Sequence, residues 1–182
     1  MTTAQNDNSQ SVYLIDRMMA TANYHWSNKE YEESLAIALV GIAAVSKLYY
    51  PNENDGNAYK QCVKDKLTEI ISRYLNDLNL PGTIASCVFG GRVIDGQVIG
   101  GQSLEEILYK TLRNNIVHEL IFPNNIRFAD HSKMCAPFEL YDNGTIVFAN
   151  RLPLALIYTV LDDPKVLELR IQGKMMAPSD RD

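Results

Sequence analysis

Arg113, Asn114, Asn115 and His118 stand within one six-residue stretch, R-N-N-I-V-H. A guanidinium grips a phosphate in fork geometry. An imidazole moves a proton near neutral pH. Read as an α-helix at about 100° per residue, the stretch puts Asn115 and His118 on the face of Leu104, Ile107, Leu108 and Leu112. Polar groups thus stand where a buried apolar stripe should continue. Burying an imidazole or an amide without a partner costs about 1–3 kcal/mol. The spacing therefore implies either a polar network or a cleft. Arg113 and His118 diverge by about 140° in such a helix, whereas Asn114 and His118 share a face. Lys110, Asn115, Arg127 and His131 are further candidates for substrate binding, His131 standing beside Lys133 in D-H-S-K.

Other chemistry finds less support. Cys62, Cys87 and Cys135 are widely spaced and form no C-x-x-C, which speaks against a disulfide framework or a cysteine-rich zinc site. A thiol hydrolase built on Cys87 or Cys135 with His118 or His131 is a weaker alternative. Without H-E-x-x-H or an EF-hand loop, no metal or cofactor is expected. The glycine-rich segment 86–101 has neither G-K-[ST] nor G-x-G-x-x-G, so it reads as a hairpin rather than a nucleotide loop. The formal net charge of −5 argues against duplex DNA, and leaves room for a small basic cleft that handles RNA.

The elements that must position these residues are mostly helical. Apolar spacing predicts helices over 11–26 and, from a Ser27–Glu30 capping box, up to Pro51. A third covers 58–77 and a fourth, opened by Ser103 and Glu106, runs to about 121. A fifth starts from an Asn150 cap with Pro153 in its first turn, and a short helix restarts at Asp163-Pro164 and ends near 171. Asp95-Gly96 and Asp142-Asn143-Gly144 mark hairpins, and 122–137 reads as a long loop. The expected fold is all-α: an antiparallel bundle of about five helices with one or two short β-hairpin insertions. At 182 residues the chain is one domain over 11–171, between a disordered tail at 1–10 and a flexible tail at 172–182. No apolar run approaches the roughly 18 residues that span a bilayer, and the polar N-terminus carries no signal-peptide pattern. A cytoplasmic protein is expected.

With Arg113, a polar residue directly after it, and His118 after four intervening residues, the chain resembles the HEPN family. The family's signature is Arg, four to six intervening residues, then His, in a small helical bundle. The resemblance covers most of 11–171. It implies a metal-independent endoribonuclease of the kind found in toxin–antitoxin, antiviral and RNA-processing systems, acting as a homodimer with both motifs lining one cleft. It gives Arg113, Asn114 and His118 the catalytic roles and implies RNA as substrate, with an antitoxin or regulatory protein as a further partner. Glu119 and Leu120 depart from the R-x4-H-x-Y form, in which the tyrosine is modified. The other reading is a non-catalytic helical module that binds a nucleotide or a protein, with Arg113, Asn115 and His118 as a buried network.

Overall fold

A computed structural model describes residues 3–75, 88–89, 92–94, 97–99, 102–116, 121–130, 132, 138–141 and 143–175. The chain is mostly helical. In the N-terminal half, α1 (Thr3–Ser27), α2 (Tyr31–Tyr49), α3 (Asp55–Asp65) and α4 (Leu67–Leu75) follow one another. α5 (Leu104–Glu106) runs directly into a π-helix (Ile107–Arg113), and α6 (Leu152–Leu161) and α7 (Pro164–Met175) close the chain. α2 is the central element, packing against α1, α3, α6, α7 and the π-helix. Its buried residues include Leu35, Ala38, Leu39, Ile42 and Val45, a helical stripe that meets Met19 of α1 in the core.

Several boundaries differ from those read in the sequence. α1 begins at Thr3, so residues 3–10 of the segment expected as a disordered tail are helical. The Ser27–Glu30 capping box is absent: the Ser27 hydroxyl donates to the Asn23 carbonyl, and Glu30 is held by His25 at 2.6 Å. Local hydrogen bonding takes up both side chains, Ser27 within α1 and Glu30 across the turn at Lys29, whose φ is +66°. The third helix starts at Asp55, because the Asn54 side chain caps it by accepting from the Asn57 N–H at 2.9 Å. It also breaks at Lys66. Ser103 stands at an N-cap but makes no side-chain cap bond. Asn150 does not cap α6; its side chain donates to the Tyr31 hydroxyl and its carbonyl accepts from the Trp26 indole. α7 reaches Met175, into the segment expected as a tail.

An all-α description omits the strands. β1 (Val88–Phe89) pairs with β4 (Gln102–Ser103), and β2 (Arg92–Ile94) with β3 (Gln97–Ile99), both antiparallel. Asp95 and Gly96 lie outside the described residues. β5 (Ile126–Ala129), β6 (Phe138–Leu140) and β7 (Ile146–Ala149) form a three-stranded sheet in the order β5-β7-β6. β6 meets β7 antiparallel, whereas β5 runs parallel to it, with Phe128 opposite Phe148. β5 lies inside the stretch expected to be a loop. Its alternation of buried Ile126, exposed Arg127 and half-buried Phe128 is too short to stand out from loop sequence. Gly144 takes φ +78° between β6 and β7, a conformation that costs glycine little.

The break at Lys66 is anchored by a buried carboxylate. Asp163 has no exposed surface. Its Oδ2 lies 2.5 Å from the Lys66 Nζ, and its Oδ1 caps α7 by accepting from the Lys165 and Val166 N–H groups. The Tyr49 hydroxyl donates to that Oδ1 at 3.4 Å. The end of α2, the α3–α4 break and the start of α7 are thus tied at one point. Asp163 serves as the cap that its position before Pro164 suggests.

Alkali should loosen this region first. Burial works against the Lys66 ammonium, but the hydrogen bond and charge of Asp163 outweigh it and raise it above the ordinary 10.5. Burial pushes the Cys62 thiol from 9.0 up to about 12. Both groups hold their protons more tightly in the folded state. Their contribution to stability is complete below the unfolded values and is lost as pH rises through the folded ones. Urea midpoints should therefore fall from about pH 9 upward. The fall should be shallower for Cys62→Ala, by up to about 1.4 kcal/mol per pH unit. Parallel pH profiles for the two proteins would contradict this.

Candidate functional site

The segment carrying the Arg motif is wound more widely than an α-helix. The Asn114 N–H donates to the Tyr109 carbonyl, five residues back, and the winding continues at Asn115 and Ile116. Leu104, Ile107, Leu108 and Leu112 are buried as the apolar stripe requires. The same stripe fits a four-to-five-residue repeat, so periodicity does not separate the two windings. Packing against α2 and α3 goes with the wider turn. The angles of an ideal α-helix therefore do not hold here. Closure at i→i+5 brings residues five apart closer to one face than the about 140° of an α-helix.

Tyr109 is the platform of the site. Its ring lies against Tyr59 with centroids 5.5 Å apart. Arg113, one turn on, holds its guanidinium carbon 5.6 Å from the ring centroid. From α3, the Lys60 Nζ lies 6.0 Å from the same ring. Two cations thus share one aromatic group. Tyr59 is fully buried, and burial holds its phenol well above the usual range, so it stays neutral. The half-buried Arg113 also donates to the Asn114 side-chain oxygen at 3.3 Å. Asp55, at the start of α3, is held below the usual carboxylate range first by its hydrogen bond to Lys47, with a smaller part from Arg113. Lys47 sits 2.6 Å from Asp55.

Gly56 explains how α3 approaches so closely. A methyl group there would stand 2.6 Å from the Tyr109 hydroxyl oxygen and 2.9 Å from its ring carbon Cζ. Beyond Lys60 the same side of α3 borders an open groove of about 600 Å³. Glu105 and Glu106 line it from α5, and Glu53 from the turn just before α3. Tyr50 donates a hydrogen bond to Asp65, which pushes the Tyr50 phenol up to about 12.

The residues singled out in the sequence are only partly gathered. Arg113 and Asn114 are in contact. Asn115 is half-buried, and its carbonyl accepts from the Ile121 N–H at 3.2 Å. Lys110 is exposed and paired with Glu106 at 3.2 Å. Arg127 lies on β5, where its guanidinium donates to the Ile126 carbonyl. His118 and His131 lie outside the described residues, as do Cys87 and Cys135. Among the described residues no group of three or more His, Cys, Asp or Glu is gathered as a metal site. Among them, too, no helix is long and apolar enough to cross a membrane. Sequence reasoning misses Tyr109, Gly56 and Lys60. Tyr109 and Arg113 at i and i+4 could have revealed the platform; nothing local reveals that α3 joins it.

Fold and site together define a mostly helical protein with an arginine and a lysine set on one tyrosine ring. Residues 15–180 match the model of the Rv1289 family, and the chain belongs to that family. No curated protein and no solved structure matches the chain.

Proposed function

We propose that the protein is a HEPN-like, metal-independent endoribonuclease, with Arg113, Asn114 and His118 as its catalytic set. The observation that carries this reading is the π-helix Ile107–Arg113, which ends on the arginine of the motif. π-helical turns occur frequently at functional sites. The helical bundle in antiparallel order, with its hairpin insertions, belongs to the same reading, as does a homodimer in which two motifs line one cleft. A neutralising antitoxin or regulatory protein would be its further partner.

In this mechanism a ribose 2′-oxygen attacks the adjacent phosphorus while the bond to the 5′-oxygen breaks. His118 takes the proton of the 2′-hydroxyl or gives one to the departing 5′-oxygen. Arg113 grips the phosphate and offsets the charge that builds in the transition state. Asn114, already bonded to Arg113, orients the guanidinium. The products carry a 2′,3′-cyclic phosphate and a free 5′-hydroxyl. Incubating the purified protein with mixed single-stranded RNA tests the reading, and intact RNA would refute it.

Gly56 offers a second test. Gly56→Ala must displace the Tyr109 ring on which Arg113 rests. RNA cutting should fall about tenfold or more, since misplacement of about 1 Å costs up to about 10²-fold. The melting temperature should move by only a few degrees. Unchanged cutting would show that the platform does not position Arg113.

The non-catalytic alternative draws on a different observation. Arg113 is half-buried and already engaged with Tyr109 and Asn114, as a purely structural arginine would be. That reading expects Arg113→Ala to lower the melting temperature of a protein that cuts nothing.

A further inference from the structure

Lys60 and Lys64 stand one turn apart on α3 and face the open groove beside the Arg113 platform. Lys47, Lys66 and Lys110 are each paired with a carboxylate. Lys60 and Lys64 have no ion pair among the described residues, although Glu53, Glu105 and Glu106 line the same groove. Lys60 lies over the Tyr109 ring that also carries Arg113. Along α3 about 6 Å of helix rise separates Lys60 from Lys64. The groove thus gathers two cations from α3 and two carboxylates from α5.

We infer that this groove takes a nucleotide of single-stranded RNA next to the scissile bond and selects its base. Lys60 and Lys64 hold the phosphates. The α5 carboxylates repel phosphate, so they turn the backbone toward α3 and the base toward themselves. An ionised carboxylate accepts hydrogen bonds and donates none. It suits a base with donors on its pairing edge. Guanine presents two neighbouring N–H donors there, whereas uracil presents one N–H between two acceptors. Glu106 already holds Lys110, which leaves Glu105 on α5 as the discriminating group. The ligand class rests on the ribonuclease reading, and the placing of phosphate and base rests on the groove itself.

Binding of a non-cleavable 2′-O-methyl RNA oligomer separates the two. Guanine-rich oligomers should bind about tenfold more tightly than uracil-rich ones. The double variant Lys60→Ala/Lys64→Ala should weaken binding of both. It should also reduce the salt slope by about 1.4, or about 0.7 for each phosphate that is no longer neutralised. Glu105→Gln should erase the guanine preference while keeping the salt slope. Lys64 is exposed and Lys60 and Glu105 are partly so, so folded variants are expected, and circular dichroism checks this. If the native protein cuts RNA but the lysine variant binds with unchanged affinity and salt slope, the groove assignment falls and the ribonuclease reading stands. If binding follows the lysines and no RNA is cut, the reading falls and the groove stands. Absence of both binding and cutting overturns both.

Discussion

Replacing Arg113 by alanine is expected to slow RNA cutting by about 10²–10³-fold, the usual loss when one donor to a transition-state oxyanion is removed. His118→Ala should cost about 10²–10⁴-fold, the span of general acid–base catalysis. Arg113→Lys should recover little. A lysine ammonium lacks the planar fork that can grip two phosphate oxygens while resting on a ring. The Tyr109 ring lies under Arg113, so Arg113→Ala removes a stacking partner as well as a charge. Its structural cost is modest: a cation–π interaction at a partly exposed site is worth about 0.5–1 kcal/mol. A melting shift of a few degrees with near-complete loss of cutting identifies a catalytic arginine. Comparable losses of cutting and folding would identify a structural one. Initial rates on a labelled oligomer, with melting curves on the same samples, separate the two.

The largest effect on stability should come from Asp163. It has no exposed surface, and the Lys66 side chain is only 12% exposed. Breaking such a buried pair from one side costs about 3–5 kcal/mol, because the remaining charge stays buried without its partner. Asp163→Ala also removes the cap of α7. At about 2–4 °C per kcal/mol, the melting temperature should drop by about 6–20 °C. Lys66→Met should cost less than Asp163→Ala, since the carboxylate keeps its two N–H donors and Tyr49. The double variant Lys66→Met/Asp163→Ala should be more stable than the sum of the single losses. Strict additivity would mean that the two side chains do not act as a pair.

Much of the helical skeleton was legible in the sequence for physical reasons. Leu35, Leu39 and Ile42 recur at helical spacing, and their burial in α2 follows from it. Pro51 and Pro164 set an end and a start because proline restricts its predecessor and fits a first helical turn. The parallel pairing of β5 with β7 was not legible, since four residues carry little pattern and their partners lie about twenty residues away. Nor was the π-helix: Leu104, Leu108 and Leu112 look alike in either winding. Of the candidate site, Arg113 and Asn114 stood out as a cation and an amide in sequence. Tyr109 became visible as a platform only once α3 brought Tyr59 and Lys60 to its ring. Gly56 carries no chemistry of its own, and its role exists only through the Tyr109 ring across from it.

Ribonuclease activity is tested most directly by incubating the purified protein with mixed single-stranded RNA in EDTA and analysing the fragment ends. The expected result is cutting by the native protein, fragments ending in a 2′,3′-cyclic phosphate, and intact RNA with His118→Ala. Intact RNA with the native protein, or equal cutting by His118→Ala, would contradict the assignment.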